Sequence, residues 1–232
     1  EAIARHLAFL DAQAQQPPGA LTRMPWFCSG CPHSRSTRVP EGSSALGGVG
    51  CHLMATWMER STLTISQMGG EGATWLGMAA HAGVQHVFAN MGDGTYYHSG
   101  LLAIRAAVAA GVHITYKLLY NDAVAMTGGQ PVDGPLTVAR LTRQLEAEGV
   151  AKIVLLADAG NRYEGLAPGV ERRAREDIDA VQRELREIAG VTVLVFDQVC
   201  ATELRRRRKR GSVPPPKRHV FIHELVCEGC GD

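Results

Sequence analysis

Ala89-Asn90-Met91-Gly92-Asp93-Gly94-Thr95-Tyr96 reads as a strand running into a glycine-flanked aspartate, and Val87-Phe88-Ala89 supplies its short apolar start. Some twenty-eight residues beyond Asp93 stands Asn121, within Leu119-Tyr120-Asn121-Asp122-Ala123, at the end of a second strand pattern from Ile114 to Tyr120. One oxygen-bearing side chain therefore emerges from the carboxyl end of each strand. Magnesium takes near-octahedral oxygen ligands, one or two from protein and the rest from phosphate and water, so Asp93 and Asn121 form a candidate magnesium–diphosphate clamp. Gly92 and Gly94 let the backbone approach a diphosphate closely, and a helix starting after Tyr96 would aim its amides at the anion. Gly-Asp-Gly alone is a common turn. Its pairing with Asn121 on a second strand end is what makes it a candidate site.

Outward from the clamp, the chain alternates strand and helix. Upstream, Ser61 to Ser66 is a strand candidate, and the glycine loop Gln67 to Gly72 leads into a helix through Ala80. Downstream, Tyr97 to Ala110 has helical periodicity stopped by Gly111, and a glycine-rich loop from Asn121 to Pro135 has the character of a functional loop. Thr137 to Glu148 reads as a helix, Lys152 to Ala157 as a strand and Asp158 to Gly169 as a surface loop. Glu171 to Ala189 reads as a helix with a charged, solvated face, and Val191 to Asp197 as a strand. This alternation implies an α/β fold: a three-layer parallel sheet flanked by helices, with its site at the carboxyl ends of the strands. Residues 1–24 form an upstream helix (Glu1 to Gln16) and linker, 25–204 the main domain, and 205–232 a basic, proline-containing linker.

Composition narrows the class. A chain of 232 residues with 45% hydrophobic residues and net charge +1 can build a large α/β core, and suggests neither a nucleic-acid binder nor a disordered chain. No apolar run approaches the roughly twenty residues a membrane helix needs, and no basic-then-apolar leader opens the chain, so the expected compartment is cytoplasmic. The basic block Arg205 to Arg210 lacks interleaved aromatics and reads as a solvated linker or an inter-domain contact.

The six cysteines are Cys28, Cys31, Cys51, Cys200, Cys227 and Cys230, and four of them form two C-x-x-C pairs. In a long, core-rich chain these read as reduced thiols serving a metal or redox chemistry. Cys28 and Cys31 alone fit structural zinc, a redox pair or a cluster. With Cys51, in the glycine-rich loop segment Leu46 to His52, and Cys200 they make a four-thiolate set compatible with one [4Fe-4S] cluster, although spacing does not exclude zinc. Cys227 and Cys230 look like the start of a second cluster motif, and the abrupt ends of the chain suggest a segment of a larger protein.

Five segments carry a family resemblance: FCSGCPH at 27–33, GCHLMATWM at 50–58, QMGGEG at 67–72, NMGDGTYYHSG at 90–100 and YNDAVAMTGGQPVDG at 120–134. Together they resemble indolepyruvate ferredoxin oxidoreductase, in its long, fused bacterial form, over nearly the whole chain from Pro25. The resemblance implies a thiamine-diphosphate-binding fold and oxidative decarboxylation of an aryl pyruvate with coenzyme A and ferredoxin, giving an aryl-acetyl-CoA, carbon dioxide and reduced ferredoxin. It assigns Asp93, Asn121 and the Ala123 carbonyl to Mg2+, and Gly92, Gly94, Thr95, Thr127 and Gly128 to the diphosphate. It assigns Cys28, Cys31, Cys51 and Cys200 to a [4Fe-4S] cluster near the thiamine. His52 is a candidate hydrogen-bonding group for substrate carboxylate or cluster, ahead of His33 and His98. The remaining domains of the parent chain and a homodimer are the expected partners. Thiamine enzymes activate their cofactor with a glutamate, and none is assigned here; Glu71, in its glycine loop, is not taken for it. Competing readings are a non-oxidative thiamine-dependent decarboxylase with structural zinc and a non-catalytic cluster-carrying module.

Overall fold

The computed structural model describes residues 3–5, 7–8, 24–132, 134–158, 160–161, 163–215, 220–223 and 225–227. Most of the helix expected at Glu1 to Gln16, and Cys230 of the second C-x-x-C, lie outside these residues. Seven strands form one all-parallel sheet: β1 (Ala45–Gly47), β2 (Thr62–Ile65), β3 (Val87–Gly92), β4 (Ile114–Tyr120), β5 (Lys152–Ala157), β6 (Glu171–Ala174) and β7 (Val191–Asp197), in the order β2-β1-β3-β4-β7-β5-β6. Sequence order reverses between β1 and β3, and a parallel sheet opens its ligand crevice at such a switch, beyond the carboxyl ends of the strands.

The apolar runs of β3, β4, β5 and β7 follow from burial on both faces, which removes the need for alternation. One face carries Ala89, Met91, Tyr116, Leu118, Leu155 and Val193, packed with Trp75, Ile104, Leu141 and Leu145. The other carries Leu119, Val154, Leu156, Leu194 and Phe196 against Ile178, Val181 and Leu185. The helices that cover these faces are α2 (Ala73–Met78), α4 (Leu101–Ala110), α5 (Val138–Ala147) and α6 (Ile178–Leu185); α1 is the short turn His33–Ser36 and α3 the turn Asp93–Thr95. Thr137 caps α5, its Oγ1 accepting from the Arg140 N–H at 3.2 Å. Leu155→Ala, at a fully buried central position, is expected to lower stability by about 2–5 kcal/mol, read as a lower denaturant midpoint at unchanged slope.

Lys117 is buried inside β4, where its Nζ donates to Arg38 O at 2.7 Å and to Gln182 Oε1 at 2.9 Å. Burial, with the Arg60 charge adding to it, pulls its pKa well below that of an ordinary lysine.

Four expectations are corrected. The helix after the clamp begins at Asp93 rather than beyond Tyr96: α3 continues through a π-helical turn, Tyr96–Gly100, into α4. The wide turn accommodates Met91, which occupies the space a side chain at Gly100 would need. Glu171 to Ala189 is not one helix, because Glu171–Ala174 is an edge strand followed by the 3-10 turn Arg175–Asp177 and then α6. The charges taken for a helical face alternate along that strand, Glu171 bridging Lys152 at 2.9 Å and Arg173 reaching Glu184 at 2.8 Å. Leu46-Gly47, read as part of a glycine-rich loop, belongs to β1. The block from Arg205 is not a linker at its start, since α7 (Ala201–Lys209) runs through it. Among the described residues, no helix is long and apolar enough to cross a membrane.

Candidate functional site

Four adjacent strands deliver the site. The chain leaving β1 reaches Cys51, β3 ends at Asp93, β4 at Asn121, and the residues after β7 reach Cys200. Asp93 is almost completely buried and accepts three backbone hydrogen bonds. Its Oδ1 takes the Gly94 N–H at 2.8 Å, and its Oδ2 takes the N–H groups of Asn121 at 2.9 Å and Asp122 at 3.0 Å. Burial nevertheless pushes the carboxyl up to about 6, against the opposing pull of these donors. A buried carboxylate in that state is stabilised by a cation. Asn121 Oδ1 accepts from the Ala123 N–H at 3.1 Å, which fixes the side chain over the same strand end.

A cavity of about 230 Å³ opens over this pair, lined among others by Gly92, Asp93, Gly94, Thr95, Asn121 and Thr127. Ala123 lines it too, with the apolar walls Val49, Met68 and Met126. The loop above the cavity is closed by a bridge between Val124 and Gln130, and Gln130 Nε2 donates to Thr127 Oγ1 at 2.7 Å. Gly128, at φ 129°, adopts a backbone conformation that side chains disfavour, and its carbonyl accepts from Arg206. Of the residues expected for magnesium or diphosphate, all but Gly128 line this one strand-end crevice, and Gly128 lies next to Thr127 in the loop above it.

The four cysteines gather beside it. Cys28, Cys31, Cys51 and Cys200 line a second, smaller cavity of about 90 Å³, which shares His33, Cys51, Asn121 and Ala125 with the first. The C-x-x-C loop is a tight turn, Cys31 N donating to Cys28 O at 2.9 Å. Burial, with Cys31, Cys200 and Cys28 adding to it, pushes the Cys51 thiol up to about 11. Such thiols ionise when a metal takes the proton's place. Among the described residues, no three of His, Cys, Asp and Glu converge on a point that could hold a metal ion by themselves.

His33 lines both cavities and His52 the larger one. Both are buried, their rings 6.1 Å apart and edge to face, and among the described residues His52 Nε2 and His33 Nδ1 have no hydrogen-bond partner. Burial holds both rings neutral, down to about 4 for His52 and about 3 for His33. Glu71 is elsewhere. Its carboxylate is sealed against Gly48, accepts the Gly69 N–H at 2.8 Å and does not line the clamp cavity.

Residues 48–196 match the family described as thiamine pyrophosphate enzyme, C-terminal TPP binding domain. The chain belongs to that family. The match spans β3, β4 and the loops that carry Asp93 and Asn121, so this TPP-binding domain has its clamp inside the family's own boundaries. Among curated relatives, indolepyruvate oxidoreductase subunit IorA of Thermococcus kodakarensis is 28% identical over 228 residues, covering 90% of this chain and 34% of that protein. IorA of Methanothermobacter marburgensis is 27% identical, over 93% of this chain and 39% of its own length. The TPP-binding domain thus spans about a third of the length of these relatives. Among solved structures, 2-oxoglutarate:ferredoxin oxidoreductase from Magnetococcus marinus has a TM-score of 0.56 at 17% identity, covering 88% of this chain and 75% of that one. Benzoylformate decarboxylase from Polynucleobacter necessarius has a TM-score of 0.50 at 15% identity, covering 77% and 34%. At these identities the likeness is one of fold.

Two groups at the site escaped the sequence reading. His33 was ranked below His52, yet it lines both cavities. The arginines of α7 were read as a linker, although Glu203, Arg206, Arg207 and Arg210 recur at the i, i+3, i+4 and i+7 positions of a helix face.

Proposed function

We propose that this TPP-binding domain is the cofactor-binding catalytic module of an aryl 2-oxoacid (indolepyruvate) ferredoxin oxidoreductase. One observation carries the reading: the oxygen-donor clamp and the four-thiol cavity share a wall, so a diphosphate cofactor and an electron-accepting cluster would lie side by side. When bound, thiamine diphosphate would supply the carbon chemistry of decarboxylation, and a [4Fe-4S] cluster an acceptor for single electrons. Asp93, Asn121 and the Ala123 carbonyl would hold Mg2+, whose remaining ligands come from diphosphate and water. Gly92, Gly94, Thr95, Thr127 and Gly128 would form the diphosphate cradle. Cys28, Cys31, Cys51 and Cys200 would hold the cluster. The four cysteines line one cavity and, among the described residues, no three of them converge on a single point, which suits a multi-atom group better than a zinc ion with every sulfur about 2.3 Å from one centre. His52 offers a neutral hydrogen-bonding ring beside the clamp for the substrate carboxylate.

The indole side chain enters through the likeness to the IorA proteins, and coenzyme A and ferredoxin through the family resemblance of the sequence motifs. Anaerobic purification of the full-length protein is expected to give about four iron and four sulfide per cluster site. Turnover with coenzyme A and ferredoxin is expected to favour indolepyruvate over phenylpyruvate and pyruvate. Stoichiometric zinc without iron supports the decarboxylase reading instead, and a preference for pyruvate overturns the aryl assignment. Because Glu71 is sealed away from the clamp cavity, we assign the activating glutamate to a partner domain or subunit. The isolated 232-residue chain is therefore expected to show no 2-oxoacid-dependent dye reduction.

A further inference from the structure

Helix α7 starts at the thiol cavity and also braces the diphosphate loop, and the function proposed above gives its charged residues no role. Glu203 lies on its inner face, its side chain 8% exposed, and draws Arg207 Nε to 3.4 Å, Arg206 Nη1 to 3.7 Å and Arg210 Nη1 to 3.8 Å. A carboxylate so far out of water needs such partners. Two of these arginines reach past Glu203 to the loop. Arg207 Nη2 pairs with Asp122 Oδ2 at 3.0 Å, and Arg206 Nη1 donates to the Gly128 carbonyl. Asp122 sits at φ 57°, a left-handed conformation that few residues other than glycine adopt, and its N–H is one of the three that hold the Asp93 carboxylate. At Gly129 there is room for no side chain, since a Cβ would run into Arg206 and lie 2.9 Å from Glu203 Oε2.

The start of the same helix touches the other loops. The Cys200 N–H donates to Asn121 O at 3.0 Å, Thr202 Oγ1 donates to Cys28 Sγ at 3.5 Å, and Arg205 Nη1 donates to Ser29 O at 3.0 Å. Contacts from one rigid element thus reach the magnesium-ligand loop, the diphosphate loop and the C-x-x-C loop.

We propose that α7 is a strut: Arg206 and Arg207, anchored on buried Glu203, position the diphosphate loop and tie its geometry to the thiol cavity. Both are positioning residues, since neither lines the clamp cavity. Arg207 reaches Glu203 from Nε and Asp122 from Nη2, two donor atoms set apart in one rigid fork, where a lysine offers a single nitrogen. Holding Asp122 left-handed aims its N–H at Asp93, so the carboxylate is oriented before any diphosphate arrives, and less order has to be imposed on binding. The strut rests on the reading of the clamp as a thiamine diphosphate–magnesium site.

The test compares the full-length, anaerobically purified wild type with Arg206→Ala, Arg207→Ala, Arg207→Lys, Asp122→Asn, the Arg207→Ala/Asp122→Asn pair and Lys209→Ala as control. Thiamine diphosphate affinity at fixed magnesium is measured by calorimetry, and the cluster's EPR spectrum is recorded with and without the cofactor. Arg207→Ala is expected to weaken binding about tenfold, within the usual range of inter-site coupling. Arg207→Lys does not rescue it, the paired variant binds no more weakly than Arg207→Ala alone, and Lys209→Ala matches wild type. Cofactor addition alters the cluster spectrum in wild type, and much less in Arg206→Ala. Arginine variants that bind as wild type does, whatever their thermal stability, overturn the strut, and a wild-type spectrum indifferent to the cofactor overturns the tie to the thiols. Wild type that binds no thiamine diphosphate overturns the clamp reading itself. Should Arg207→Ala fail to fold, Asp122→Asn alone, which keeps a residue tolerant of the left-handed conformation, decides the matter by the same affinity readout.

Discussion

Asp93→Ala is expected to abolish magnesium-dependent thiamine diphosphate binding, weakening it more than about a hundredfold, since losing even an outer-shell partner of a metal ligand costs 10–100-fold. The mechanism has two parts. The clamp loses its only carboxylate, and the N–H groups of Gly94, Asn121 and Asp122 lose their acceptor in a buried setting. Each orphaned donor costs about 1–3 kcal/mol, so the two strand-end loops loosen as well. Asp93→Asn separates these parts: it keeps one acceptor oxygen but turns an amide N–H2 towards backbone donors, and it cannot offer magnesium a charge. Its cofactor binding is expected to be lost while more of the fold's stability survives than in Asp93→Ala, read by thermal melts with and without cofactor.

The same residue sets a pH dependence. Burial raises the Asp93 carboxyl from 3.8 to about 6 in the unliganded chain. A raised folded pKa means the group favours folding fully below its unfolded value, and that contribution is lost as pH rises through about 6. Above that pH the unliganded chain holds a buried negative charge met only by backbone donors, which magnesium would neutralise. Below it the metal must displace a proton. The rise in melting temperature on adding magnesium and thiamine diphosphate is therefore expected to be larger at pH 7.5 than at pH 5. An equal rise at both would contradict a buried, titrating Asp93 at the clamp.

Whether a feature was legible in the sequence depended on whether its physical cause was local. β4, β5 and β7 were delimited to the residue because a two-sided buried strand leaves a run dominated by apolar and β-branched residues, even where Thr115 and Lys117 interrupt β4 and Thr192 interrupts β7. The clamp was readable for a related reason: glycines on either side of Asp93 and an asparagine at the next central strand end are local marks of a crevice. Edge strand β6 was not readable, because Glu171 and Arg173 owe their places to Lys152 and Glu184, which are remote in sequence. The arginine run likewise looked like a solvated segment until Glu203 and Asp122 were seen to hold it. The burial of Glu71 against Gly48 is a long-range contact that a glycine loop does not announce.

Cys200→Ala is expected to reduce 2-oxoacid-dependent ferredoxin reduction by at least about three orders of magnitude, the scale of removing one member of a group that acts as a unit. Cys200 lies at the start of α7, and what ties it to the clamp is its backbone, whose N–H donates to Asn121 O at 3.0 Å. Alanine keeps that bond and fits the same small, buried space, so thiamine diphosphate affinity should stay within about threefold of wild type, a change below 1 kcal/mol. The thiol alone is lost, and with it the fourth sulfur on the small cavity. Iron content should fall with electron transfer, while carbon dioxide release in a single turnover, which needs the clamp and not the thiols, should persist. The non-oxidative reading makes the opposite forecast: zinc is lost, stability falls, and no electron-transfer activity exists to lose. Full ferredoxin reduction in Cys200→Ala, with iron retained, would show that the cluster sits on other ligands and that the shared wall of the two cavities has no part in moving electrons.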